Sequence, residues 1–308
     1  METIQGISKF KSTLPSAITI GTFDGVHIGH RQILLRLINN AKQENLNAVL
    51  LTFFPHPRMV LQKETNIKLL NTLEEKIEIL KSLGLDYTIV HPFTKEFSRL
   101  SAIEFVRDIL VNQLKTRKIV IGYDHRFGRN RNANINDLIT FGNTLDFEVE
   151  EISAQEVNEV SVSSTKIRIA LENADIETAN SYLGYAYMLT GVVKKGKGIG
   201  KQLTFPTANL HIMESYKLIP KNGVYVVQSN IDGNVYYGMM NIGFNPTVKG
   251  KKKSIEVHFF DFDQDLYERT IKVELLHHIR DEHKFDSVEG LKEQLSKDKQ
   301  TSLALITK

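Results

Sequence analysis

A ten-residue turn between a strand and a helix constrains this chain more than any other stretch of its sequence. The apolar residues 17–20 predict a buried strand, residues 21–30 read GTFDGVHIGH, and apolar residues recur at helical spacing from 33 to 41. The start of a helix offers unpaired N–H groups and partial positive charge to an anion. This order of strand, glycine turn and helix therefore predicts a phosphate-binding site.

The two histidines of this turn are the first candidates for chemistry. His27 and His30 stand three residues apart, which places both rings on one side of a helical turn. As imidazole or imidazolium they can donate to phosphate oxygens whose charge grows in a transition state. Gly25 and Gly29 allow a sharp turn and close approach of a ligand. Histidines near a glycine turn are also common as ordinary polar residues, so the interpretation depends on the flanking strand and helix.

Length, charge and composition limit the class of protein. With 308 residues the chain is long enough for two domains, and 41% hydrophobic with 24% charged residues is typical of a globular protein. The net charge of +3 gives no electrostatic reason for a nucleic-acid partner, and the absence of Cys excludes disulfides and thiolate metal sites. Residues 1–12 are polar and unlike a signal peptide, and no apolar stretch is of membrane-spanning length. We expect a cytoplasmic protein without a membrane partner.

The first half of the chain alternates strands with helices. This pattern predicts a Rossmann-like α/β domain, a parallel sheet covered by helices, with its ligand at the carboxyl ends of the strands. In the helix at 73–83 we expect Ile77, Leu80 and Leu83 to share the buried face. Ser101 and Glu104 form a capping box that predicts a further helix to about 115. The predicted strands are 48–54, 87–90, 118–122 and 147–152, and a short helix is predicted at 135–141.

From residue 185 onward short β-rich runs replace this alternation. They predict a small antiparallel β-barrel of five or six strands, closed by a helix at about 287–297. We place the domain boundary near 184, which gives domains 1–184 and 185–308. The runs are 188–193, 223–228, 235–240, 254–260 and 271–276.

A glycine–lysine loop and two oxygen-bearing side chains are the candidates for chemistry in the second half. Glycines let a backbone wrap a phosphate chain, and lysines neutralise it. Thr207 and Asn209 lie on one face of an extended segment and suit Mg²⁺, although they could equally satisfy turn hydrogen bonds. Glu256, on an alternating strand, is either a general base or a solvent-facing carboxylate. The loop candidates are Gly196, Lys197, Gly198 and Gly200.

Several separated motifs together resemble the bifunctional bacterial riboflavin kinase/FAD synthetase family. GTFDGVHIGH contains the HxGH signature of class I nucleotidyltransferases, and TFFPHPR, GYDHRFG and SSTKIR are similar to the family's adenylyltransferase half. GVVKKGKGIGKQLTFPTANL, NGVYVV, NIGFNPTV, the strand with Glu256, and FDFDQDLY are similar to its flavokinase half. The resemblance covers nearly the whole chain.

The resemblance implies two ATP-dependent steps with small-molecule substrates. In the second domain ATP phosphorylates riboflavin to FMN, and the resemblance implies that Glu256 is the base. It also implies that Thr207 and Asn209 hold Mg–ATP, that the glycine loop covers the phosphates, and that Arg280 contacts the flavin. In the first domain AMP passes from ATP to FMN, giving FAD and pyrophosphate, with His27 and His30 stabilising charge at the α-phosphorus. The implied nucleotide and phosphate contacts are Gly21, Phe23, Gly29, Ser163, Ser164, Thr165 and Arg168. The implied flavin contacts are Pro55, His56, Pro57, Arg58 and Asp124.

Three positions depart from the family's pattern. Thr204 and Glu268 stand where the family usually has glycine, and His125 stands where it often has Phe. We expect a tighter approach of the nucleotide at Thr204 and a different turn at Glu268.

Two other functions are compatible with parts of the sequence. A nucleotidyltransferase for another acceptor, such as a pantetheine or nicotinate phosphate, would leave Thr207, Asn209 and Glu256 without a purpose. An RNA-binding barrel beside an inactive nucleotide-binding domain would need a basic groove with exposed aromatics. A homo-oligomer is left open.

Overall fold

The chain forms two compact units, Met1–Ser163 and Ser164–Lys308. The computed structural model describes residues 1–62, 67–123, 125–153, 162–196, 204–247 and 250–307. The predicted site residues Asp124, Lys197, Gly198 and Gly200 lie outside these ranges. The helices that follow Ser163 belong to the second unit by their contacts, so their assignment to a functional domain 1–184 stays a prediction.

A six-stranded parallel sheet forms the centre of the first unit. Its spatial order is β1-β4-β3-β2-β5-β6, and every neighbouring pair is parallel. This confirms the predicted α/β fold, although the sequence pattern missed β1, a short polar edge strand. The strands are β1 Glu2–Gln5, β2 Ser16–Ile20, β3 Asn47–Phe53, β4 Tyr87–His91, β5 Thr116–Gly122 and β6 Glu148–Ile152.

Helices between the strands cover the sheet. They are α1 Ile28–Gln43, α2 Pro57–Leu61, α3 Leu73–Lys81, α4 Ala102–Glu104 and α5 Ile135–Leu145. The capping box of Ser101 and Glu104 is present, but α4 continues as a π-helix over Phe105–Gln113. The expected α-helix to 115 is therefore wrong in type, because the Leu114 N–H bonds to the Ile109 carbonyl, five residues back.

The buried face of α3 differs from the predicted one. Of the three expected apolar residues only Leu80 is fully buried, and the face instead includes Glu75, Lys76 and Ile79. The helix starts at Leu73 behind a capping box formed by Thr72 and Glu75, which sets this face. A lysine is thereby carried into the interior of the first unit.

The sheet order places a crevice beside β2. From β2 the chain adds β3 and then β4 on one side, and it later adds β5 on the other side. Ligands of open α/β sheets bind where the strand order reverses, at the carboxyl ends of the strands. The glycine–histidine turn leaves the carboxyl end of β2 and therefore lies at this point.

The second unit is a closed antiparallel barrel with the order β10-β11-β8-β7-β12-β9, as predicted. Its strands extend beyond the predicted runs, and the short β8 carries Asn209. The strands are β7 Met188–Lys194, β8 Ala208–His211, β9 Gly223–Ile231, β10 Asn234–Thr247, β11 Gly250–Phe259 and β12 Thr270–Asp281. Its helices are α6 Ser164–Glu172, α7 Ile176–Leu183 and α8 Val288–Ile306. Leu291, Leu295 and Ile306 of α8 pack against buried Phe205 and Phe260.

Two of the departures from the family's pattern lie at strained backbone. Thr204 has φ +67° and Glu268 has φ +61°, both in the left-handed region that glycine adopts freely. A β-branched residue such as threonine is an outlier there. The turn at Glu268 therefore keeps a glycine-like backbone without a glycine.

Replacing Thr204 by glycine should stabilise the barrel unit. Relief of the left-handed strain outweighs the entropy that glycine adds to the unfolded chain, and we expect the free energy of unfolding to rise by about 1 kcal/mol. Urea denaturation of Thr204→Gly measures this change. Thr270→Gly is the matched control, because exposed Thr270 on β12 is not at positive φ and its loss should destabilise. A Thr204→Gly variant as unstable as this control would contradict the assignment of strain.

Candidate active sites

The glycine–histidine turn is held in an uncommon backbone conformation. Phe23 has φ +46° and Val26 has φ +36°, and Gly25 between them has φ +86°. A Cβ at Gly21 would lie 2.9 Å from the ring of Phe23, so this position needs glycine to admit the ring. Gly29 lies buried in the first turn of α1. The turn thus brings its two histidines to the start of α1.

The two imidazole rings lie on one side, as their spacing predicted, and they also stack. The ring centroids of His27 and His30 are 3.6 Å apart and the ring planes differ by 17°. His27 also caps α1, because its Nδ1 accepts the backbone N–H of His30 at 3.3 Å. In a neutral ring that acceptor role leaves the proton on Nε2. His27 therefore presents an Nε2–H donor at the start of α1.

Burial keeps both histidines uncharged near neutral pH. Desolvation lowers the pKa of His27 to about 4. It also lowers the pKa of His30 well below 6.5, and the nearby His27 and Lys76 lower it further by repulsion. A neutral imidazole can still donate a hydrogen bond to a phosphate oxygen. That hydrogen bond becomes stronger as negative charge grows on the oxygen.

Groups that sequence reasoning did not single out lie behind the turn. The buried Lys76 donates from Nζ to the Thr22 carbonyl at 3.2 Å and to Thr52 Oγ1 at 3.1 Å. Buried Asp24 accepts the Leu70 N–H at 2.9 Å. The Thr72–Glu75 capping pattern was the available signal, because it fixes where α3 begins and hence which face holds Lys76.

The predicted flavin segment follows β3. A cis peptide bond joins Phe54 to Pro55, and His56 caps α2 by accepting the Arg58 N–H at 3.1 Å. An aromatic cluster that the sequence analysis overlooked lies at the ends of β3 and β4. Phe53 is 5.6 Å from Phe93 and 5.5 Å from Phe97, and His91 is 4.6 Å from Phe97. Its signal was an aromatic residue near the end of the predicted strand 48–54 together with three aromatic rings soon after the predicted strand 87–90.

The hydroxyl residues of the SSTKIR motif lie at the boundary between the units. Ser163 closes the first unit, and Ser164 is the first residue of α6 in the second. Thr165 is exposed and Arg168 is half-buried on that helix. Their predicted phosphate contacts stay predictions. His125, the third departure from the family's pattern, stacks on Phe127 with centroids 6.0 Å apart.

In the barrel unit, strand register brings the predicted kinase residues together. Glu256 on β11 lies opposite Asn209 on β8, and Asn209 lies opposite Lys194 on β7. The Thr207 hydroxyl donates to Glu256 Oε2 at 3.5 Å. A Cβ at Gly196 would collide with the side-chain amide of Asn209, so any larger residue here would have to displace that amide. One small area thus holds a hydroxyl, an amide and a carboxylate.

A histidine holds the backbone of this segment in place. His258 Nδ1 donates to the Pro206 carbonyl at 2.9 Å, and its ring meets Phe205 edge-on at 5.2 Å. His258 lies two residues beyond Glu256 on the same strand face, as the alternation predicted. It therefore couples the strand of the carboxylate to the segment of Thr207.

The donor atoms at this area suit a hard cation. A threonine hydroxyl and an asparagine carbonyl are oxygen ligands of the kind Mg²⁺ accepts while keeping water and phosphate. In the described ranges no group of three or more His, Asp or Glu side chains could hold a metal ion. A magnesium site here would therefore depend on Thr207, Asn209 and the phosphates of the nucleotide.

Arg280 has a structural partner in the C-terminal helix. Its guanidinium donates to Asp298 at 3.0 Å from Nε and at 2.7 Å from Nη2, and Asp298 is only 1% exposed. Gln294 also donates to Asp298, at 2.8 Å. The ion pair ties β12 to α8, and the predicted flavin contact of Arg280 stays a prediction.

Comparison with known proteins finds both halves of the chain in known families. The FAD synthetase family model matches residues 9–166, and the riboflavin kinase family model matches residues 183–306. The chain belongs to the bifunctional riboflavin kinase/FAD synthetase family. This confirms the resemblance read from the motifs.

Relatives of similar length share this organisation. A bifunctional riboflavin kinase/FMN adenylyltransferase from Buchnera aphidicola subsp. Schizaphis graminum is 40% identical, with 97% of this chain and 96% of the relative covered. The protein of that name from Listeria monocytogenes is 38% identical, with 94% and 92% covered. A crystal structure of a macrolide-efflux protein from Streptococcus pneumoniae superimposes with a TM-score of 0.89 at 31% identity, covering 97% of this chain and 98% of that one. No helix in the described ranges of this chain is long and apolar enough to cross a membrane.

The depressed pKa of His27 should make the first unit sensitive to acid. Above pH 6.5 the ring is neutral in both folded and unfolded chains. Between 6.5 and about 4 the unfolded chain binds a proton that the folded one excludes, so the free energy of unfolding falls as pH falls. The loss approaches about 3 kcal/mol at the low end. Denaturation at pH 7, 5.5 and 4.5 should show a shallower decline in His27→Gln, and parallel declines would contradict this.

The buried ion pair of Arg280 should stabilise the barrel unit. Asp298→Asn leaves the guanidinium without its carboxylate, and we expect the free energy of unfolding to fall by about 3 kcal/mol. Urea denaturation measures the change. Asp232→Asn, which breaks the exposed pair with Arg269, is the control and should leave stability unaltered. Equal stability of the two variants would show that the buried pair contributes nothing.

Proposed function

We propose that the barrel unit phosphorylates riboflavin to FMN with ATP and that the sheet unit transfers AMP from a second ATP to FMN, giving FAD and pyrophosphate. The observation that carries this proposal is the presence of two separate sites on one chain. One is a stacked histidine pair at the start of α1, and the other is a carboxylate beside Thr207 and Asn209. Each site lies within the span of its own family model.

For AMP transfer, a phosphate oxygen of FMN attacks the α-phosphorus of ATP, and the bond to the bridging oxygen of pyrophosphate breaks. Negative charge grows on the oxygens around the α-phosphorus and on the leaving group. The Nε2–H of His27 and the adjacent ring of His30 donate to these oxygens. Gly21, Phe23 and Gly29 bring backbone close to the nucleotide, and N–H groups at the start of α1 add positive potential. No covalent intermediate is needed, because positioning and charge stabilisation lower the barrier.

For phosphorylation, the terminal ribityl hydroxyl of riboflavin attacks the γ-phosphorus of ATP, and ADP leaves. Glu256 accepts the hydroxyl proton as the new oxygen–phosphorus bond forms. Half-burial beside Thr207 keeps this carboxylate in a fixed position. Gly196 and the residues after it cover the phosphates, and Arg280 contributes to the flavin end. Thr207 and Asn209 would hold Mg²⁺, which would neutralise phosphate charge.

Flavin binding in the sheet unit involves the segment after β3. Pro55, His56, Pro57 and Arg58 lie near the flavin. The aromatic cluster of Phe53, His91, Phe93 and Phe97 offers ring faces and edges beside that segment. The substrates are small molecules, and both reactions belong in the cytoplasm, where ATP is supplied.

Chromatography of the flavins formed from riboflavin, excess ATP and Mg²⁺ tests both activities. We expect FMN and then FAD from the native chain, FMN alone from His27→Ala, and almost no product from Glu256→Gln. Supplied FMN should still become FAD in Glu256→Gln, because the sheet unit is untouched. Each variant thus serves as the folding control for the other.

The result also separates the alternatives. A native chain that makes neither product would refute the bifunctional assignment. FAD formed from FMN, with riboflavin left unphosphorylated, would show that only the sheet unit is active. The strained backbone at Thr204 would then be the first cause to test. FMN formed from riboflavin without FAD would refute the assignment of His27 and His30.

A further inference from the structure

Lys76 is a buried cation directly beneath the glycine–histidine turn. It is 7% exposed and extends from the second turn of α3 towards the carboxyl ends of β2 and β3. Its Nζ donates to the Thr22 carbonyl at 3.2 Å and to Thr52 Oγ1 at 3.1 Å, while Thr52 Oγ1 lies 3.3 Å from the same carbonyl. An ammonium from α3 and a hydroxyl from β3 thus both donate to one carbonyl oxygen of the turn.

That carbonyl belongs to the residue before the strained part of the turn. Phe23 follows with φ +46°, and its ring lies 4.7 Å from the ring of His30. A left-handed non-glycine residue persists only where its surroundings hold it. Fixing the Thr22 carbonyl fixes the peptide that leads into Phe23, and the Phe23 ring in turn supports the histidine pair.

The charges around Lys76 explain how an ammonium is kept there. Burial lowers its pKa to about 8, and the carboxylate of Asp24 in the turn opposes that shift. From α1, His30 lies near enough for its charged form to be repelled by Lys76, and His56, at the start of α2, lines a cavity of about 10 Å³ together with Lys76. On its own helix, Glu75 accepts the Thr72 N–H at 2.9 Å. The Asp24 carboxylate thus attracts a cation that also donates to the Thr22 carbonyl and the Thr52 hydroxyl.

We propose that Lys76 is a positioning residue for AMP transfer: its ammonium clamps the Thr22 carbonyl, and the clamped turn sets the placement of His30 and His27 against the nucleotide. Lys76 lies beneath the turn and acts through it, so it need not touch the substrate. This inference rests on the proposed function of the sheet unit. It assigns a task to a residue that no motif in the turn contains.

The test compares Lys76→Met with Lys81→Met in the full-length chain. Methionine preserves the apolar stem and removes the ammonium, and Lys81 is an exposed lysine at the end of the same helix. We expect Lys76→Met to lower kcat for FAD formation from FMN at least tenfold, with the KM for FMN changed by less than about threefold, because the loss is one of alignment. Lys81→Met should match the native chain. Riboflavin phosphorylation by the barrel unit should be the same in all three.

A second readout does not depend on turnover. With the ammonium gone, a repulsive charge near His30 disappears, so the imidazole pKa of His30 should rise. Titration of the histidine ring C–H signals by NMR measures this, with Lys81→Met as the control. If the native chain makes no FAD, the proposed function fails, while this titration still reports whether Lys76 acts on the histidine pair.

Native kcat together with an unaltered His30 titration in Lys76→Met would overturn the proposal. If loss of Lys76 unfolds the sheet unit, seen as collapse of its NMR dispersion, Thr52→Val decides instead. That variant removes one acceptor of the ammonium and keeps the side-chain shape. We expect it to lower kcat about threefold or more and Thr52→Ser to restore it. A Thr52→Val enzyme with native kcat would then refute the clamp.

Discussion

The left-handed backbone of the turn after β2 is the constraint on which the first unit depends. Without positive φ at Phe23, Gly25 and Val26, the chain would pass from strand to helix without stacking two imidazoles at the helix start. Such a conformation costs free energy, and neighbouring elements supply the contacts that hold it. The Leu70 N–H donates to the Asp24 carboxylate, and the Gly21 N–H donates to the Leu51 carbonyl of β3. The site is therefore built by the strands and helices around the turn as much as by the turn itself.

In the barrel unit, strand pairing rather than a strained turn positions the polar side chains of the candidate site. Its site lies mainly on extended strands, and cross-strand register places Glu256, Asn209 and Lys194 side by side. Register in a closed barrel is difficult to shift, because a one-residue slip would turn every side chain to the opposite face. His258 adds a fixed link between the strand of Glu256 and the Pro206 carbonyl. The positions of these polar groups are thus set by backbone pairing over the whole barrel.

Local pattern was enough to predict both folds and to single out some residues that the structure brings together, namely His27 with His30, and Glu256 with Thr207 and Asn209. Helical spacing found α1, and the three-residue interval between His27 and His30 correctly predicted two rings on one side. Alternation around Glu256 predicted its face, but only the register of β8 and β11 shows that Asn209 lies opposite. Contacts between residues distant in sequence have no local signature, so the capping pattern could indicate the buried face of Lys76 but not its contacts with Thr22 and Thr52. The same holds for Arg280, whose carboxylate partner is 18 residues further along the chain.

The open sheet and the closed barrel differ in how readily another polypeptide could add a strand to them. A barrel has no unpaired strand, whereas the sheet ends in two edges, β1 and β6. Free edges are templates on which another polypeptide can add a strand. Strand β6 reads EVEEI, with three glutamates in five residues, and β1 is only four residues long. Charged side chains along one edge and the shortness of the other make intermolecular strand addition unfavourable, so the sheet unit carries its own protection against aggregation.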